Sequence, residues 1–281
     1  MKNLYDTVAE NASLTVTKTY STSFSLAILL LDKNIRQHIY NIYGFVRLGD
    51  EIVDTFHEQP QEVLLREFKE ATYLAIERGF SLNPILHSFQ QTIREFNIDR
   101  RLIDQFLYSM EMDLKPVTYD RELYEKYIVG SAEVVGLMCL KVFVLGDDTE
   151  YNRLKFAAER LGAAFQKINF LRDLRADAVL LGRNYFPELS VEKFDEATKK
   201  EIEKDIEKDF KAAFIGIQEL PHRARFGVYL AYRYYYSLFT KIKNVPAAEV
   251  MATRIRVSDN NKYIIIAKSY LRNELGALKA G

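Results

Sequence analysis

The sequence contains one cysteine and no tryptophan, and glycine and proline are sparse, with 12 and 6 residues among 281. A single cysteine excludes an intramolecular disulfide, which is consistent with a reducing compartment. This residue, Cys139, lies in the apolar run G-L-M-C-L-K-V-F-V-L and is predicted to belong to the core. The prolines are spread out, and no proline- or glycine-rich linker occurs. We therefore predict a single domain over residues 1–281.

An excess of charge is also missing, because 39 Lys and Arg balance 39 Asp and Glu. Without a global basic field, no nucleic-acid partner is expected. A small basic cluster near the C-terminus, made of Arg254, Arg256 and Lys262, suits a phosphate group better than a duplex.

Long hydrophobic runs are absent as well. The longest uninterrupted aliphatic stretch, Leu26 to Leu31, is far shorter than the roughly 20 residues that cross a bilayer. The first residues lack the apolar segment of a signal peptide. We expect a cytoplasmic protein.

What the chain does have is helical periodicity. Apolar residues recur with helical spacing almost everywhere, and strand-like alternation is nearly absent, so the predicted fold class is all-α. The predicted helices cover residues 34–56, 61–78, 84–96, 99–113, 120–145, 148–179, 191–217, 221–243 and 259–278. The Glu/Lys-rich segment 191–210 is interpreted as a solvated outer helix without a functional role.

Two aspartate pairs share a spacing of four residues: Asp50 with Asp54, and Asp173 with Asp177. Residues four apart lie on one face of a helix, with about 5–6 Å between Cβ atoms, so each pair can bind a hard cation. Chance alone would produce about five such acidic pairs in this composition. These two differ because each ends an apolar stretch, where an acid is costly unless it is paired or metal-bound. Two facing pairs would hold Mg²⁺ and, through it, a diphosphate.

The neighbours of the pairs suit the same chemistry. Asn169 and Gln166 precede Asp173 on the same helical face and offer amide oxygens. Arg47 precedes Asp50 and offers bidentate donors to phosphate oxygens. Arg172 adjoins Asp173, so its side chain should face elsewhere, and we interpret it as the partner of an acid on another helix.

Tyrosine and phenylalanine are abundant, with 18 of each. Aromatic faces attract cations, so some of these rings could stabilise a carbocation. Most aromatic residues are nevertheless expected in the core, because they bury large areas. Tyr43 and Tyr127 are the best candidates for a site, because each lies one or two turns from a candidate polar residue.

Four stretches of the chain resemble the phytoene/squalene synthases, the head-to-head prenyl synthases, and are most like a bacterial phytoene synthase. They are Y-S-T-S-F-S (Tyr20–Ser25), I-Y-G-F-V-R-L-G-D-E-I-V-D (Ile42–Asp54), Y-I-V-G-S-A-E-V-V-G-L-M (Tyr127–Met138) and Phe165–Pro187, which contains both Q-K-I-N-F-L-R-D-L-R-A-D and R-N-Y-F-P. A weaker match continues through Tyr235 to R-I-R-V-S and Lys262. The resemblance implies a single-domain isoprenoid synthase bundle of helices around a central cavity.

The resemblance also implies roles for individual residues. The metal ligands for Mg²⁺, or for Mn²⁺ in its place, would be Asp50, Asp54, Asn169, Asp173 and Asp177. Together with the four aspartates, Arg47, Tyr43 and Tyr127 form the predicted catalytic set. The predicted substrate-binding residues are Ser21, Ser23, Phe24, Gln166, Asn169, Tyr185, Tyr235 and Arg256. Among these, Tyr185 follows the second acidic motif and would help to close the cavity.

Two positions depart from the family pattern. Glu51 stands where many relatives have aspartate in D-D-x-x-D, and Ala176 precedes Asp177 where bacterial relatives often have glutamate. Neither change removes a proposed metal ligand.

The activity that the resemblance implies is the Mg²⁺-dependent condensation of two prenyl diphosphates, through a cyclopropyl diphosphate, to a linear hydrocarbon. The D-E-I-V-D motif and the lack of a C-terminal anchor favour geranylgeranyl diphosphate as the substrate and phytoene as the product. The protein would then act in carotenoid biosynthesis, and no NADPH requirement is expected. A C30 product (dehydrosqualene, squalene or hydroxysqualene) from two farnesyl diphosphates stays open.

Two other functions were considered. A catalytically inactive helical interaction protein of the same fold should have a broken acid pair, and neither pair is broken. A terpene cyclase of the same fold would leave the Y-S-T-S-F-S stretch unexplained.

A waxy product needs a route to the bilayer. We therefore expect loose peripheral membrane contact through an exposed aromatic helix end such as Tyr232–Phe239, although core packing explains this run equally well. The oligomeric state stays open.

Overall fold

The computed structural model describes residues 3–114, 119–180, 185–187, 194–256, 259–274 and 278, without the side chains of 176–180, 259–263, 271, 273 and 274. Within these residues no strand occurs, and the all-α prediction is confirmed. The helices are α1 (Leu4–Tyr20), α2 (Thr22–Ile28), α3 (Lys33–Asp54), α4 (Gln61–Arg78), α5 (Pro84–Glu95), α6 (Arg100–Asp113), α7 (Arg121–Ile128), α8 (Val134–Phe143), α9 (Asp148–Leu180), α10 (Glu196–Glu219), α11 (His222–Lys243), α12 (Ala247–Ala252) and α13 (Asp259–Glu274), with a π-helical turn, Val129–Glu133, between α7 and α8.

Short polar side chains begin many of these helices. Asn3 and Asp6 form a reciprocal capping box at the start of α1. Asn83 accepts hydrogen bonds from the first backbone N–H groups of α5, directly before Pro84 at the first helical position. Other residues that cap a helix in this way include Ser21, Asp32, Asp99, Asp120, Asp147 and Asp195. These local signals mark the starts of α3, α5 and α6, whose predicted boundaries agree closely with the structure. The boundaries of α4 agree as well, although α4 follows Pro60 and has no side-chain cap.

The sequence prediction missed α1, α2 and α12. The buried stripe of α1 consists of small residues, Ala9, Ser13 and Thr17, so it lacks the large apolar residues that reveal a helix. This stripe lets α1 approach α3 closely, because a Cβ added at Gly44 would lie 2.9 Å from the Ser13 hydroxyl. The predicted helix 120–145 was also wrong in part, since the π-helical turn interrupts it.

The π-helical turn lies close to both α6 and α9. A Cβ added at Gly130 would lie 2.5 Å from the carbonyl oxygen of Gln105 on α6. A Cβ added at Gly162 on α9 would lie 2.6 Å from the carbonyl oxygen of Ala132 in the turn. Only glycine fits such contacts. The turn therefore holds α6 and α9 together on one side of the bundle.

The interpretation of segment 191–210 as a solvated outer helix was wrong for its described part. Helix α10 packs along α9 and buries charged side chains, among them Lys199 at 2% exposure. Lys199 pairs with Glu203 at 2.5 Å, and Asp209 pairs with Lys167 of α9 at 2.7 Å and with Arg160 at 3.2 Å. Buried charges are tolerated only with such partners. The Glu/Lys pattern thus serves packing between two helices as well as solvation.

Glu133 of the π-helical turn is buried against Arg160, and it makes the stability of the fold depend on pH. Burial raises the pKa of Glu133 to about 7, and the neighbouring Arg160 opposes this rise only in part. The folded state therefore binds this proton more tightly than the unfolded chain does. The resulting stabilisation is present below the usual pKa of 4.5 and is lost as pH rises through about 7.

We expect the free energy of unfolding to decrease between about pH 5 and pH 8, and Glu133→Gln to remove part of that decrease because glutamine does not ionise. Urea unfolding at both pH values, for the wild type and the variant, measures the difference. The same pH dependence in both proteins would contradict the role of Glu133.

Candidate functional site

The helices enclose a cavity of about 540 Å³, lined by residues from α2, α3, the π-helical turn and α8 to α11. The lining residues of α3 and of α9 are apolar along most of each helix and become polar toward its C-terminal end. On α3 they run from Ile39 to Asp50, and on α9 from Leu154 to Arg172. Phe24 contacts both Tyr43 of α3 and Phe165 of α9, so the two polar ends lie beside the same group of aromatic rings.

The first acidic pair lies at the end of α3. Asp50 lines the cavity, whereas Asp54, the last residue of the helix, is exposed and does not line it. Burial, together with the charges of Asp54 and Asp113, raises the pKa of Asp50 to about 7, and Arg47 opposes the rise. This is a crowded negative region whose charge a bound cation would relieve.

Arg47 is held between two neighbours at the cavity wall. Its guanidinium lies over the ring of Tyr20, 4.3 Å from the centroid, and it forms an ion pair with Glu51 one turn along α3. Glu51 is therefore turned toward Arg47. Tyr20, which also lines the cavity, is missing from the predicted site residues, although it begins the first stretch that resembles the family.

Four aromatic rings adjoin the polar end of the cavity. Phe165 of α9 and Tyr235 of α11 stack with centroids 3.8 Å apart, and Phe24 contacts both, at 6.2 and 5.9 Å. Phe24 also contacts Tyr43, at 6.0 Å. Burial raises the pKa of Tyr43 to about 12, so its phenol stays neutral. Neutral ring faces beside buried acids are an environment that stabilises a cation.

The second acidic motif reaches the cavity through amides and arginines. Asn169 and Gln166 line the cavity, and Asn169 accepts a hydrogen bond of 3.4 Å from the Tyr235 hydroxyl. Asp173 lies behind this wall, 2.6 Å from Arg254 Nε and 2.5 Å from Arg172 Nη2. Both arginines line the cavity. At the second motif, the cavity is therefore lined by the guanidinium groups of Arg172 and Arg254, and both groups pair with the carboxylate of Asp173.

Two expectations about arginines need correction. Arg172 does not face away from its neighbour as predicted, because its guanidinium donates to Asp173. Within the C-terminal basic cluster, the structure brings Arg254 to the cavity, while Arg256 is exposed and its carbonyl accepts from Lys241 Nζ at 3.0 Å. Spacing could not separate these two residues, because the segment that carries them is not helical.

The predicted site residues fall into two groups. Those that line the cavity are Ser21, Phe24, Tyr43, Arg47, Asp50, Gln166, Asn169 and Tyr235. Those outside the lining are Ser23, Asp54, Tyr127, Asp173, Tyr185 and Arg256. The side chain of Asp177 lies outside the described residues.

The structure also bears on two other predictions. Cys139 packs against the core, as predicted, and in addition lines the cavity; burial raises its pKa to about 12, which keeps the thiol protonated. The run Tyr232–Phe239 offers no exposed side chain, and Tyr232 and Phe239 are each 1% exposed. The alternative of core packing is therefore confirmed, and this run is not a surface for membrane contact.

The polar end carries side chains of the kind that bind divalent cations. Among the described side chains, no three His, Cys, Asp or Glu residues converge on one point, so the described part of the protein does not complete a metal site alone. Mg²⁺ is commonly bound by one or two carboxylates, phosphate oxygens and water. Asp50 and Asn169, a carboxylate and an amide at one end of the cavity, match that pattern.

A sequence profile described as squalene/phytoene synthase matches residues 17–260. The chain belongs to the squalene/phytoene synthase family.

The presqualene diphosphate synthase of Rhodopseudomonas palustris is 29% identical over 59% of this chain and 58% of its own length. Phytoene synthase 1 of Arabidopsis thaliana is 30% identical over 60% of this chain and 40% of its own length. The 4,4'-diapophytoene synthase of Staphylococcus haemolyticus is 26% identical over 68% of this chain and 66% of its own length. Less than two thirds of each of these relatives is therefore matched.

Solved structures of the squalene/phytoene synthase family share the fold. A dehydrosqualene synthase crystal structure superposes with a TM-score of 0.81 at 20% identity, covering 96% of this chain and 98% of that one. A squalene synthase from Alicyclobacillus acidocaldarius gives 0.71 at 19% identity, with 96% and 97% coverage. The predicted helical bundle around a central cavity is confirmed. In the described part of this family member, no helix is both long and apolar enough to span a bilayer.

Proposed function

We propose that this protein is a Mg²⁺-dependent prenyltransferase that condenses two geranylgeranyl diphosphates head to head, through a cyclopropyl diphosphate, to phytoene. The observation that best supports the proposal is a single cavity with an apolar wall and a polar end. Asp50, Arg47 and Asn169 all line the polar part of that cavity. A prenyl diphosphate has the same division, since its charged head suits the polar end and its hydrocarbon tail suits the wall.

The residues at the polar end would bind and orient the diphosphates. Asp50 and Asn169 would hold Mg²⁺, which neutralises the charge of the leaving diphosphate. The guanidinium groups of Arg47, Arg172 and Arg254 line the same end and can donate pairs of hydrogen bonds to phosphate oxygens. Asp54, Asp173 and Asp177 remain proposed members of the metal-binding set.

The apolar wall would protect the cation that forms when diphosphate leaves. Phe24, Phe165 and Tyr235 surround the space next to the polar end, and their faces attract positive charge. These apolar ring faces would limit the access of water, which would otherwise capture the cation. The residues of this chain would thus orient two substrates and limit the access of water to the reacting atoms.

Similarity to phytoene synthases supports the longer, C20 substrate. Several relatives are phytoene synthases, including that of Narcissus pseudonarcissus at 29% identity. The relatives that make presqualene diphosphate and 4,4'-diapophytoene favour a second candidate, the condensation of two farnesyl diphosphates to a C30 product.

The purified protein, supplied with Mg²⁺ and geranylgeranyl diphosphate, is expected to form a C40 hydrocarbon with and without NADPH. Chelation of the metal should abolish the product, and Mn²⁺ should restore it. Farnesyl diphosphate is offered separately, and mass spectrometry of the extract distinguishes C40 from C30. A C30 product alone would contradict phytoene as the product. The absence of any condensed C30 or C40 product from either substrate, whether hydrocarbon, alcohol or cyclopropyl diphosphate, would contradict the reaction class.

A further inference from the structure

Asp113 is a buried carboxylate that the sequence analysis did not single out. It is the last residue of α6 and is 7% exposed. The Tyr127 hydroxyl of α7 donates to its Oδ2 at 2.6 Å, and the Tyr185 hydroxyl donates to its Oδ1 at 3.2 Å. One carboxylate therefore joins α6, α7 and the segment that follows α9.

The two phenols are also fixed by ring packing. Tyr185 stacks on Phe170 with centroids 4.3 Å apart, and Tyr127 contacts Tyr185 at 4.9 Å. Tyr119 contacts both tyrosines, at 5.5 and 5.1 Å. A buried carboxylate is costly unless it accepts hydrogen bonds, and bonds to a charged acceptor are about twice as strong as neutral ones. Rings and carboxylate together hold both side chains in one position.

This cluster lies directly behind the polar end of the cavity. Phe170 follows Asn169 on α9, so the stacked rings contact α9 one residue beyond a side chain that faces the cavity. Asp113 is also close enough to Asp50 for the two charges to interact. None of Asp113, Tyr127 and Tyr185 lines the cavity itself.

We infer that Asp113 is a positioning residue for the proposed reaction. By accepting hydrogen bonds from Tyr127 and Tyr185, Asp113 holds the two rings against Phe170. The position of Phe170 in turn sets the position of Asn169 relative to Asp50. The inference rests on the proposed function. Because Asp113 does not line the cavity, its loss should disturb the alignment of the two motifs more than the initial binding of substrate.

The test uses Asp113→Asn, Tyr185→Phe and the double variant, assayed with prenyl diphosphate and Mg²⁺. Each single variant is expected to lower kcat by about tenfold and to change KM by less than about threefold. The double variant should lose no more than the worse single variant, because both changes act on the same hydrogen bond between Tyr185 and Asp113. Glu111→Gln is the matched control, since Glu111 lies on the same helix, pairs with Lys69 and is well exposed.

Circular dichroism and thermal unfolding check that each variant is folded at the assay temperature. If Asp113→Asn does not fold, Tyr185→Phe still decides the inference, because it keeps the carboxylate and removes one donor. Unchanged kcat in folded variants, or losses that simply multiply in the double variant, would overturn the role of Asp113. A wild type that makes no product would instead contradict the proposed function, and this inference with it.

Discussion

Replacing Asp50 by asparagine is expected to reduce the turnover of prenyl diphosphate by about 1,000-fold. Asp50 is the acidic side chain that lines the cavity among the described residues, and Asn169 and Arg47 line the same end. Asparagine keeps the size of the side chain but supplies no negative charge to a metal ion. The measurement is the rate of product formation at saturating Mg²⁺, followed by extraction of the hydrocarbon.

The same substitution should not destabilise the fold, which separates loss of chemistry from loss of structure. The pKa of Asp50 is raised to about 7, so ionisation of this carboxyl costs stability above that pH. At about pH 8 the variant is therefore expected to be at least as stable as the wild type. At about pH 5 the wild-type carboxyl is largely protonated, so the two proteins should differ less in their free energy of unfolding. Glu95→Gln, at an exposed carboxyl, serves as the control. Wild-type turnover in Asp50→Asn would refute the assignment of Asp50 to the metal.

Asp173→Asn is expected to reduce turnover to a similar degree, by about 1,000-fold, but with a different effect on stability. Asp173 accepts from Arg172 and Arg254 at 2.5 and 2.6 Å, and its side chain is 18% exposed. Removing its charge leaves two guanidinium groups without this partner. Since Arg254 is half exposed, the loss of stability should be modest, about 1 kcal/mol. Product formation and urea unfolding of the same preparation measure both effects.

Asp205→Asn is a matched control for Asp173→Asn. Asp205 pairs with Lys167 at 2.5 Å, is 45% exposed and belongs to α10, away from the cavity lining. It should lose a comparable amount of stability and keep its turnover. Equal loss of turnover in the two variants would mean that Asp173 acts through stability and not through the site.

The sequence determined the helical class, the family and the chemical character of the site, because each depends on short-range patterns. Helical periodicity needs only neighbouring residues, and capping residues such as Asn83 and Asp99 locate helix starts. The motif around Asp50 puts Arg47 on the same face, three residues earlier, and Asn169 follows from the second motif in the same way. The structure brings all three to one cavity.

Only the tertiary structure decided which residues from distant segments contact each other. Helical spacing shows which side chains share one side of a helix, but it does not show which other helix packs against that side. Asp113 meets Tyr127 and Tyr185, which are 14 and 72 residues away, and no local pattern announces such contacts. Buried Asp209 of α10 was interpreted as solvated because its partners, Lys167 and Arg160, lie on another helix. Contacts between distant segments form only when the whole chain packs, so their residues have no signature in the sequence.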